Sequence, residues 1–351
     1  MKKIHIFLIL LFLSTSLLIG HLIVHTRETS KCSVSVGSAN MTPERISYIN
    51  GFLVLSAGNE TLLKGETEYL VNFPEVYPFE WGVIGVRNFT LYACTYSGQL
   101  LWEYSLLRNF RASASENYLF VFTPSNAPAG IQANDTLYAF GRDGFVEKFD
   151  FPNVYYPSRC GFLKSRGNYT LFLLDQPQAD GSAGLGRVIL FRGLEITFNR
   201  TFTFRDSIED PVYCVGDVSA NGLAAFGLYG GVGIFNGSLR YIELPYRGAD
   251  DIAIAGNNVF ALVGRETPNF EVVEELLLVG EHLKVLKGNL SGNAELFSSG
   301  NYLLLVDPLA KRAYLFSSDG KLLKVLEYRG ETVVEGRMLL LCNAGNCAPV
   351  N

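Results

Sequence analysis

The stretch LYAFGRDGFVEKFDF, residues 137–151, contains two apolar β-strands joined by the turn dipeptide Asp143-Gly144. Asp-Gly between two apolar runs is a strong signal for a two-residue β-hairpin. The same arrangement recurs in LYACTYSGQLLWEYSL (91–106) and AYLFSSDGKLLKVLEY (313–328). Strands joined by such short turns leave no room for crossover helices, so the sequence predicts antiparallel sheets.

A second repeated element alternates with these hairpins. It is a turn followed by an apolar run, with anchors at Gly51, Asn88, Asn117, Asn168, Gly222, Asn257, Asn301 and Arg337. The mean spacing of the anchors is about 41 residues, the period of a four-stranded propeller blade. The repeat predicts an all-β protein, a β-propeller of four-stranded blades, with eight blades and with seven as the alternative.

The ends of the chain must close such a ring, because an open ring leaves sheet edges unpaired. The final segment, residues 331–343, supplies two strands. The alternating stretch CSVSV (Cys32–Val36) is expected to pair beside these strands as the missing outer strand of the last blade.

The hairpins resemble a known family. LYACTYSGQLLWEY (91–104) resembles the quinoprotein-like (PQQ-like) repeat, in which a Leu-Tyr-Ala strand leads through a Gly turn to a Trp-bearing strand. Residues 137–149 and 313–328 resemble it with Phe or Val in place of Trp. The resemblance implies a propeller of seven or eight blades. It does not imply a cofactor, because quinone-dependent members use a disulfide between neighbouring cysteines, and this chain has no Cys-Cys pair.

The N-terminus indicates export. Met1-Lys2-Lys3 precedes the stretch from Ile4 to Val24, which has no charged residue and is long enough to cross a bilayer as a helix. Lysines before such a stretch favour a cytoplasmic N-terminus. Residues 1–25 are therefore predicted to be a hydrophobic helix, either a signal-anchor or a cleaved signal peptide. Residues 26–351 are predicted to form a single ectodomain, anchored on the extracellular face or secreted.

Sequons support this compartment. Eight Asn-x-Ser/Thr sites begin at Asn40, Asn59, Asn88, Asn134, Asn168, Asn199, Asn236 and Asn289, and we predict that they carry glycans. All six cysteines follow the apolar stretch, which fits an oxidising compartment.

Two disulfides are predicted. Cys160 and Cys214 each lie eight residues before an anchor, Asn168 and Gly222, which places both on innermost strands at matching depth. Cys342 and Cys347, in CNAGNC, form the second pair, with Cys32 bonded to either of them as the rival pairing.

Catalytic and metal-binding motifs are scarce in the sequence. His282 is the only histidine after residue 25, and no HExxH, P-loop or EF-hand motif is present. We therefore predict no metal site and no cofactor. The net charge of −5 argues against nucleic acid as a partner.

Acidic residues give one candidate site. Asp250-Asp251 precedes a predicted innermost strand, and Glu80, Glu295 and Glu331 occupy comparable positions. Because innermost strands converge on the propeller axis, these carboxylates are expected to ring one mouth of the channel, where a cation or a polar ligand binds.

The sequence favours a binding function. An enzyme should bring His, Lys, Arg or acids together at the strand starts, whereas here the acids are scattered. The prediction is a non-catalytic extracellular scaffold for a protein or glycan of the cell envelope, held to the membrane by its N-terminal helix. The alternatives are an extracellular hydrolase, lyase or oxidoreductase with its site at the channel mouth, and a self-assembling subunit of a surface layer or filament.

Overall fold

The computed structural model describes residues 31–37, 39, 41–106, 109–125, 133–153, 160–177, 183–205, 212–245, 248–266 and 272–350. The predicted N-terminal helix and the sequon at Asn40 lie outside these ranges. Within them every regular element is a β-strand. No helix with the length and apolarity to cross a membrane is found among the described residues.

The strands form eight antiparallel sheets that follow one another along the chain. We number these sheets as blades 1 to 8. Six blades have four strands, blade 1 has five and blade 8 has three.

The first four blades contain strands β1 to β17. The strands of blade 1 are β1 (Val34–Val36), β2 (Arg45–Ile49), β3 (Phe52–Ala57), β4 (Glu60–Lys64) and β5 (Glu68–Val71). Those of blade 2 are β6 (Glu75–Phe79), β7 (Gly82–Arg87), β8 (Thr90–Cys94) and β9 (Leu100–Ser105). Those of blade 3 are β10 (Arg111–Ala114), β11 (Leu119–Thr123), β12 (Ala133–Gly141) and β13 (Gly144–Asn153). Those of blade 4 are β14 (Cys160–Arg166), β15 (Tyr169–Pro177), β16 (Ala183–Arg192) and β17 (Glu195–Arg205).

The last four blades contain the remaining strands. Those of blade 5 are β18 (Val212–Val218), β19 (Ala224–Leu228), β20 (Gly231–Phe235) and β21 (Leu239–Glu243). Those of blade 6 are β22 (Asp251–Ala255), β23 (Asn258–Glu266), β24 (Val272–Val279) and β25 (Lys284–Ser291). Those of blade 7 are β26 (Glu295–Ser299), β27 (Tyr302–Asp307), β28 (Arg312–Ser317) and β29 (Leu322–Glu327). Those of blade 8 are β30 (Thr332–Glu335), β31 (Leu339–Asn343) and β32 (Asn346–Pro349).

The blades form a closed ring, which confirms the eight-bladed propeller. The innermost strand is β2 in blade 1 and the first strand in every other blade, and the strands of a blade are counted outward from it. From blade 3 onward these innermost strands contact one another in order, and β30 of blade 8 contacts β2 of blade 1. The Tyr48 ring of β2 lies against Gly336 at this junction, where a Cβ would approach the ring to 2.6 Å. The ring therefore closes by packing between blades 8 and 1, which share no sheet.

The predicted position of Cys32–Val36 is wrong. Strand β1 pairs antiparallel with β5, with Val34 opposite Val71, and so adds a fifth strand to blade 1. Two features explain this placement. A disulfide from Cys32 to Cys94 of β8 fixes the segment beside blades 1 and 2. Blade 8 also builds its third strand from its own tail through the hairpin between β31 and β32.

The turn anchors are confirmed in seven blades, where each lies at the hairpin between the first and second strands. Asn88 is the exception, because it lies at the hairpin between β7 and β8. Asn88 and Phe89 both have positive φ, at 49° and 60°, so this turn carries the same Asn signal as the true anchors. The first hairpin of blade 2 is at Glu80-Trp81.

Aromatic rings pack one blade against the next. Phe122 of β11 lies over Gly161 of β14, where a Cβ would come within 2.0 Å of the ring. The same Phe122 packs on Phe172 of β15, with ring centroids 5.3 Å apart. Any side chain at residue 161 would displace the Phe122 ring. Because burial of such a ring contributes about 2 to 3 kcal/mol, the glycine is required for this contact between blades 3 and 4.

Three disulfides are present in the described part of the chain: Cys32–Cys94, Cys160–Cys214 and Cys342–Cys347. Both predicted pairs are found, and the rival pairing of Cys32 is not. Cys160 of β14 and Cys214 of β18 lie on neighbouring innermost strands with Cα atoms 5.5 Å apart. Disulfides of this kind are typical of an oxidising, extracellular environment.

We expect the two predicted bridges to contribute unequally to stability. The bridge Cys160–Cys214 closes a loop of 54 residues, against 5 for Cys342–Cys347. The chain-entropy relation gives about 4 kcal/mol for the longer loop and about 2 kcal/mol for the shorter. The double variant Cys160→Ser/Cys214→Ser should therefore unfold at lower denaturant concentration than the matched control Cys342→Ser/Cys347→Ser. Equal midpoints would show that the native geometry, and not loop length, sets the contribution.

Candidate functional site

The first hairpins of all eight blades surround one end of the central channel. They enclose a cavity of about 1730 Å³, which we call the funnel. Its rim consists of the turns at Asn50, Glu80, Asn117, Gly167, Asn221, Asn257, Asn301 and Arg337. Its floor consists of side chains from the innermost strands, among them Lys164, Arg166, Ser298 and Glu335.

An ion cluster occupies the funnel floor. Lys164 Nζ lies 3.3 Å from Asp217 Oδ1 and 3.1 Å from Glu335 Oε2. Arg166 Nη2 lies 3.6 Å from Asp217 Oδ1 and 3.0 Å from Glu335 Oε1. Two cations of β14 therefore pair with one carboxylate from β18 and one from β30. These four side chains, the floor cluster, join blades 4, 5 and 8 across the channel.

The carboxylates of the floor cluster also accept backbone hydrogen bonds. Asp217 accepts from the Ile254 N–H of β22 at 2.7 Å, and Glu335 accepts from the Ser298 N–H of β26 at 2.6 Å. Ser298 Oγ donates to Asp217 at 3.2 Å. An innermost strand has one edge without a sheet partner, and an unpaired buried N–H is costly. The cluster therefore satisfies donors that the sheets leave open.

Electrostatics favour the charged forms of Lys164, Arg166 and Glu335. Burial opposes the charged form of Lys164, but Asp217 and Glu335 outweigh it and raise the pKa of Lys164. Burial likewise opposes ionisation of Glu335, but Lys164 and Arg166 hold its pKa below the ordinary value. Two positive and two negative charges cancel, so the floor cluster offers neither a free base nor a free acid.

The rim presents amide side chains at equivalent turns. Asn117, Asn221, Asn257 and Asn301 are exposed at four of these hairpins. Asn50 is half-buried, and its Nδ2 donates to the carbonyls of Pro78 at 3.0 Å and Ser115 at 2.8 Å. Asn221 Nδ2 donates to Asn257 Oδ1 at 3.2 Å. The rim therefore offers a row of groups that both donate and accept hydrogen bonds.

Aromatic side chains line one side of the funnel, on blades 1 and 2. Tyr69 and Tyr96 stack with ring centroids 4.3 Å apart, and Phe52 lies 6.0 Å from Tyr96. The Phe52 ring lies over Gly65, where a Cβ would approach it to 2.8 Å. Tyr96 Oη donates to the Phe79 carbonyl at 2.8 Å. These contacts hold the aromatic wall in one arrangement.

The predicted acidic residues do not all meet at one mouth. Asp250, Asp251, Glu295 and Glu331 lie at or just before the first residues of β22, β26 and β30, at the end of the channel opposite the funnel. Glu80 lies at the first hairpin of blade 2 and so belongs to the funnel rim. The displaced anchor at Asn88 caused this error, because it shifted the strand assignment of blade 2 by one hairpin.

We call this opposite end the lower mouth. Burial raises the pKa of Asp251 to about 6, although the N–H groups of Leu296 and Ile252 lower it in part. Burial also raises the pKa of Glu274 in β24 to about 7, and Asp250 and Asp307 raise it further. Glu274 Oε2 accepts from the Ala294 N–H at 2.8 Å.

Sequence reasoning missed Glu274 and Asp307, because each lies inside or at the end of a strand and no local motif marks it as buried. Across the described ranges no set of three or more His, Cys, Asp or Glu side chains is arranged to hold a metal ion. His282 is exposed in the turn between β24 and β25.

The sequon asparagines lie largely away from the funnel. Six are exposed: Asn59, Asn88, Asn134, Asn199, Asn236 and Asn289. Asn59 and Asn88 occupy hairpins between second and third strands, which antiparallel topology places at the lower face. Asn134 and Asn289 also lie near that end of their strands. Asn168 is half-buried, and its Oδ1 is enclosed without a hydrogen-bond partner among the described residues.

Comparisons with known proteins give only structural similarity. Neither the models of known protein families nor the curated proteins match the chain. Among solved structures, Hsv2p of Kluyveromyces lactis is 11% identical and has a TM-score of 0.46, with 82% of this chain and 99% of that chain covered. Apo AztD of Citrobacter koseri is 11% identical with a TM-score of 0.45, covering 81% and 86%. The β-propeller domain of the trilobed protease of Pyrococcus furiosus is 10% identical with a TM-score of 0.42, covering 82% and 95%. At these scores no functional argument follows.

Because of Glu274, the free energy of unfolding should fall as the pH rises. Its pKa of about 7 in the folded protein exceeds the ordinary value of 4.5, so the folded state binds this proton more tightly than the unfolded chain does. The resulting stabilisation is complete below about pH 4.5 and is lost between there and about pH 7. Glu274→Gln should therefore gain stability relative to the wild type across that window, by up to about 3 kcal/mol above pH 7.

Denaturant unfolding at pH 4.5 and pH 8 measures this difference. Glu281→Gln, at an exposed carboxylate in the neighbouring turn, is the control and should give the same difference from the wild type at both pH values. A difference between Glu274→Gln and the wild type that does not change with pH would contradict the assignment.

Glycan occupancy should follow exposure. The six exposed sequons should be modified in the native host, and Asn168 should not, because its amide packs beside Gly193. Glycopeptide mass spectrometry gives the occupancy at each site. A glycan at Asn168 would show that this side chain leaves its packed position.

Proposed function

We propose that the chain is a non-catalytic extracellular β-propeller that binds a protein or glycan of the cell envelope through its funnel. The observation that carries this proposal is the contrast between floor and rim. The charged groups of the floor are paired with one another, whereas the rim presents exposed amides and aromatic rings. Such a surface is suited to holding a ligand by many weak contacts.

The floor cluster supports binding over catalysis. A general acid or base needs a proton that it can exchange with a substrate, and a nucleophile needs a neighbouring base. Lys164, Arg166, Asp217 and Glu335 are each committed to two ion pairs. At the lower mouth burial raises the pKa of Asp251 and of Glu274, and both carboxylates accept hydrogen bonds from backbone N–H groups.

The distribution of sequons supports the funnel as the binding face. Four exposed sequon asparagines lie toward the lower face, and none of the exposed ones lines the funnel. Glycans on these residues leave the funnel open to a large partner.

The compartment and family are part of the same proposal. We infer from the hydrophobic stretch over residues 1–25 that the propeller lies outside the cell, held by a signal-anchor or released after cleavage. The three disulfides fit that location. We infer a member of the quinoprotein-like propellers that lacks the quinone site, since the hairpin motifs remain while no pair of adjacent cysteines exists in the chain.

A steric block of the funnel should abolish binding. Asn257→Trp places a large side chain on the rim and is expected to weaken binding of the purified full-length chain, held in detergent, to lipid-extracted envelope fragments by at least about tenfold. Asn293→Trp is the matched control, since Asn293 is exposed in the turn between β25 and β26 at the lower mouth. Co-sedimentation measures both. Equal loss for both variants, or loss only for Asn293→Trp, would remove the funnel as the binding face.

A further inference from the structure

We propose that the ligand of the funnel is an uncharged oligosaccharide, a hydroxyl-rich chain of several sugar rings. This inference rests on the proposed binding function and specifies its partner. It is carried by the charge balance of the funnel, its hydrogen-bonding groups, its aromatic wall and its size.

The charge balance disfavours a charged ligand. Four carboxylates (Glu66, Glu80, Glu116 and Glu335) and three cations (Lys164, Arg166 and Arg337) line the funnel. With Asp217, which pairs with both floor cations, the funnel and its floor cluster carry a net charge of −2. Both floor cations and Glu335 are already paired within the floor cluster. A polyanion needs an excess of unpaired Lys and Arg, and a basic peptide needs a strong acidic field. The funnel provides neither.

The rim amides match hydroxyl groups. An asparagine side chain has two donor hydrogens and an acceptor oxygen, and a sugar hydroxyl likewise donates and accepts. Exposed amides at Asn117, Asn257 and Asn301 face the funnel from three different blades. Ser113 and Thr67 add hydroxyl groups to the same lining. A ligand with many hydroxyl groups can therefore be held at several points of the rim at once.

The aromatic wall provides the apolar contact that sugar rings use. Phe52, Tyr69 and Tyr96 are half-buried and line the funnel. An aromatic face packs on the C–H side of a pyranose, which is flat and apolar. Contacts of Phe52 with Gly65 and of the Tyr96 hydroxyl with Phe79 fix the rings before the ligand arrives, which lowers the entropy cost of binding.

Size and polarity favour a glycan over a protein. The funnel volume of about 1730 Å³ exceeds the range of about 300–1,000 Å³ typical of single small molecules. A protein interface has an apolar core. None of the large, strongly exposed hydrophobic side chains in the described part of the chain lines the funnel. The rings of the aromatic wall, Phe52, Tyr69 and Tyr96, are half-buried and pack on one another.

Treatment of the envelope fragments separates the two partner classes. Periodate cleaves the vicinal diols of sugars, and a broad protease removes protein; each treatment is applied to the fragments before the full-length chain is added. We expect periodate to abolish co-sedimentation and protease to leave it within about twofold. Binding to an array of neutral and acidic oligosaccharides should favour neutral members and should change little between low and high salt.

Two variants test the chemistry. Asn257→Asp keeps the shape of the side chain but removes two donors and adds a negative charge, and it should weaken binding to neutral oligosaccharides by at least about tenfold. Gly65→Ala should do so by displacing the Phe52 ring. Gly288→Ala is the matched control, because an added Cβ there meets nothing closer than 3.8 Å and lies on β25, away from the funnel. Equal thermal midpoints for Asn257→Asp and the wild type confirm that the fold is intact.

The outcomes are distinguishable. Binding that survives periodate and is lost after protease, while still being blocked by Asn257→Trp, overturns the oligosaccharide but keeps the proposed function. Preference for acidic members or strong salt dependence overturns the uncharged ligand. Binding that Asn257→Trp does not affect overturns the funnel itself.

Discussion

The unpaired edge of each innermost strand is the constraint on which the rest of the structure depends. In a ring of separate sheets these edges face the channel, and their N–H groups need acceptors. Asp217, Asp251 and Glu335 each accept from a backbone N–H of a neighbouring blade. A carboxylate placed there needs a countercharge, which Lys164 and Arg166 supply for the funnel floor. The need of these backbone N–H groups for hydrogen-bond acceptors thus determines where charges lie in the channel. It also explains why the floor of the funnel is neutral.

Contacts between side chains hold the blades together and close the ring. Aromatic side chains of one blade pack on glycines of a neighbouring blade, as Phe122 does on Gly161 and Tyr48 does on Gly336. The second of these contacts is at the junction between the last blade and the first, where the chain ends belong to different sheets. Within blade 1, Phe52 packs on Gly65 in the same way and forms part of the aromatic wall. The features that stabilise the ring therefore also shape the face that we propose as a binding surface.

Much of the architecture was predictable from the sequence, because a blade repeats its turn chemistry at a fixed spacing. The hairpin dipeptides Asp143-Gly144 and Asp319-Gly320, and the position of Cys160 relative to Asn168, depend on local order and were interpreted correctly.

The predictions were wrong where the sequence pattern fits more than one position in the fold. Asn88 marks a left-handed turn as clearly as a true anchor does, and this error misplaced Glu80. The partner of β1 was decided by a disulfide that spacing did not reveal. The floor cluster joins residues far apart in sequence, and the only local sign was the alternation of Lys164 and Arg166 in a strand of a predominantly apolar repeat.

The bond between Cys32 and Cys94 gives the fold a defined response to mechanical load. A pull on the chain from its N-terminal side reaches this covalent link before it reaches β1, because Cys32 precedes Val34. The force then passes directly into β8 of blade 2, and the loop of 62 residues that contains all of blade 1 carries no tension. The strand at the edge of blade 1, which a pull would otherwise peel away first, is thus shielded from shear for as long as the thiols remain oxidised.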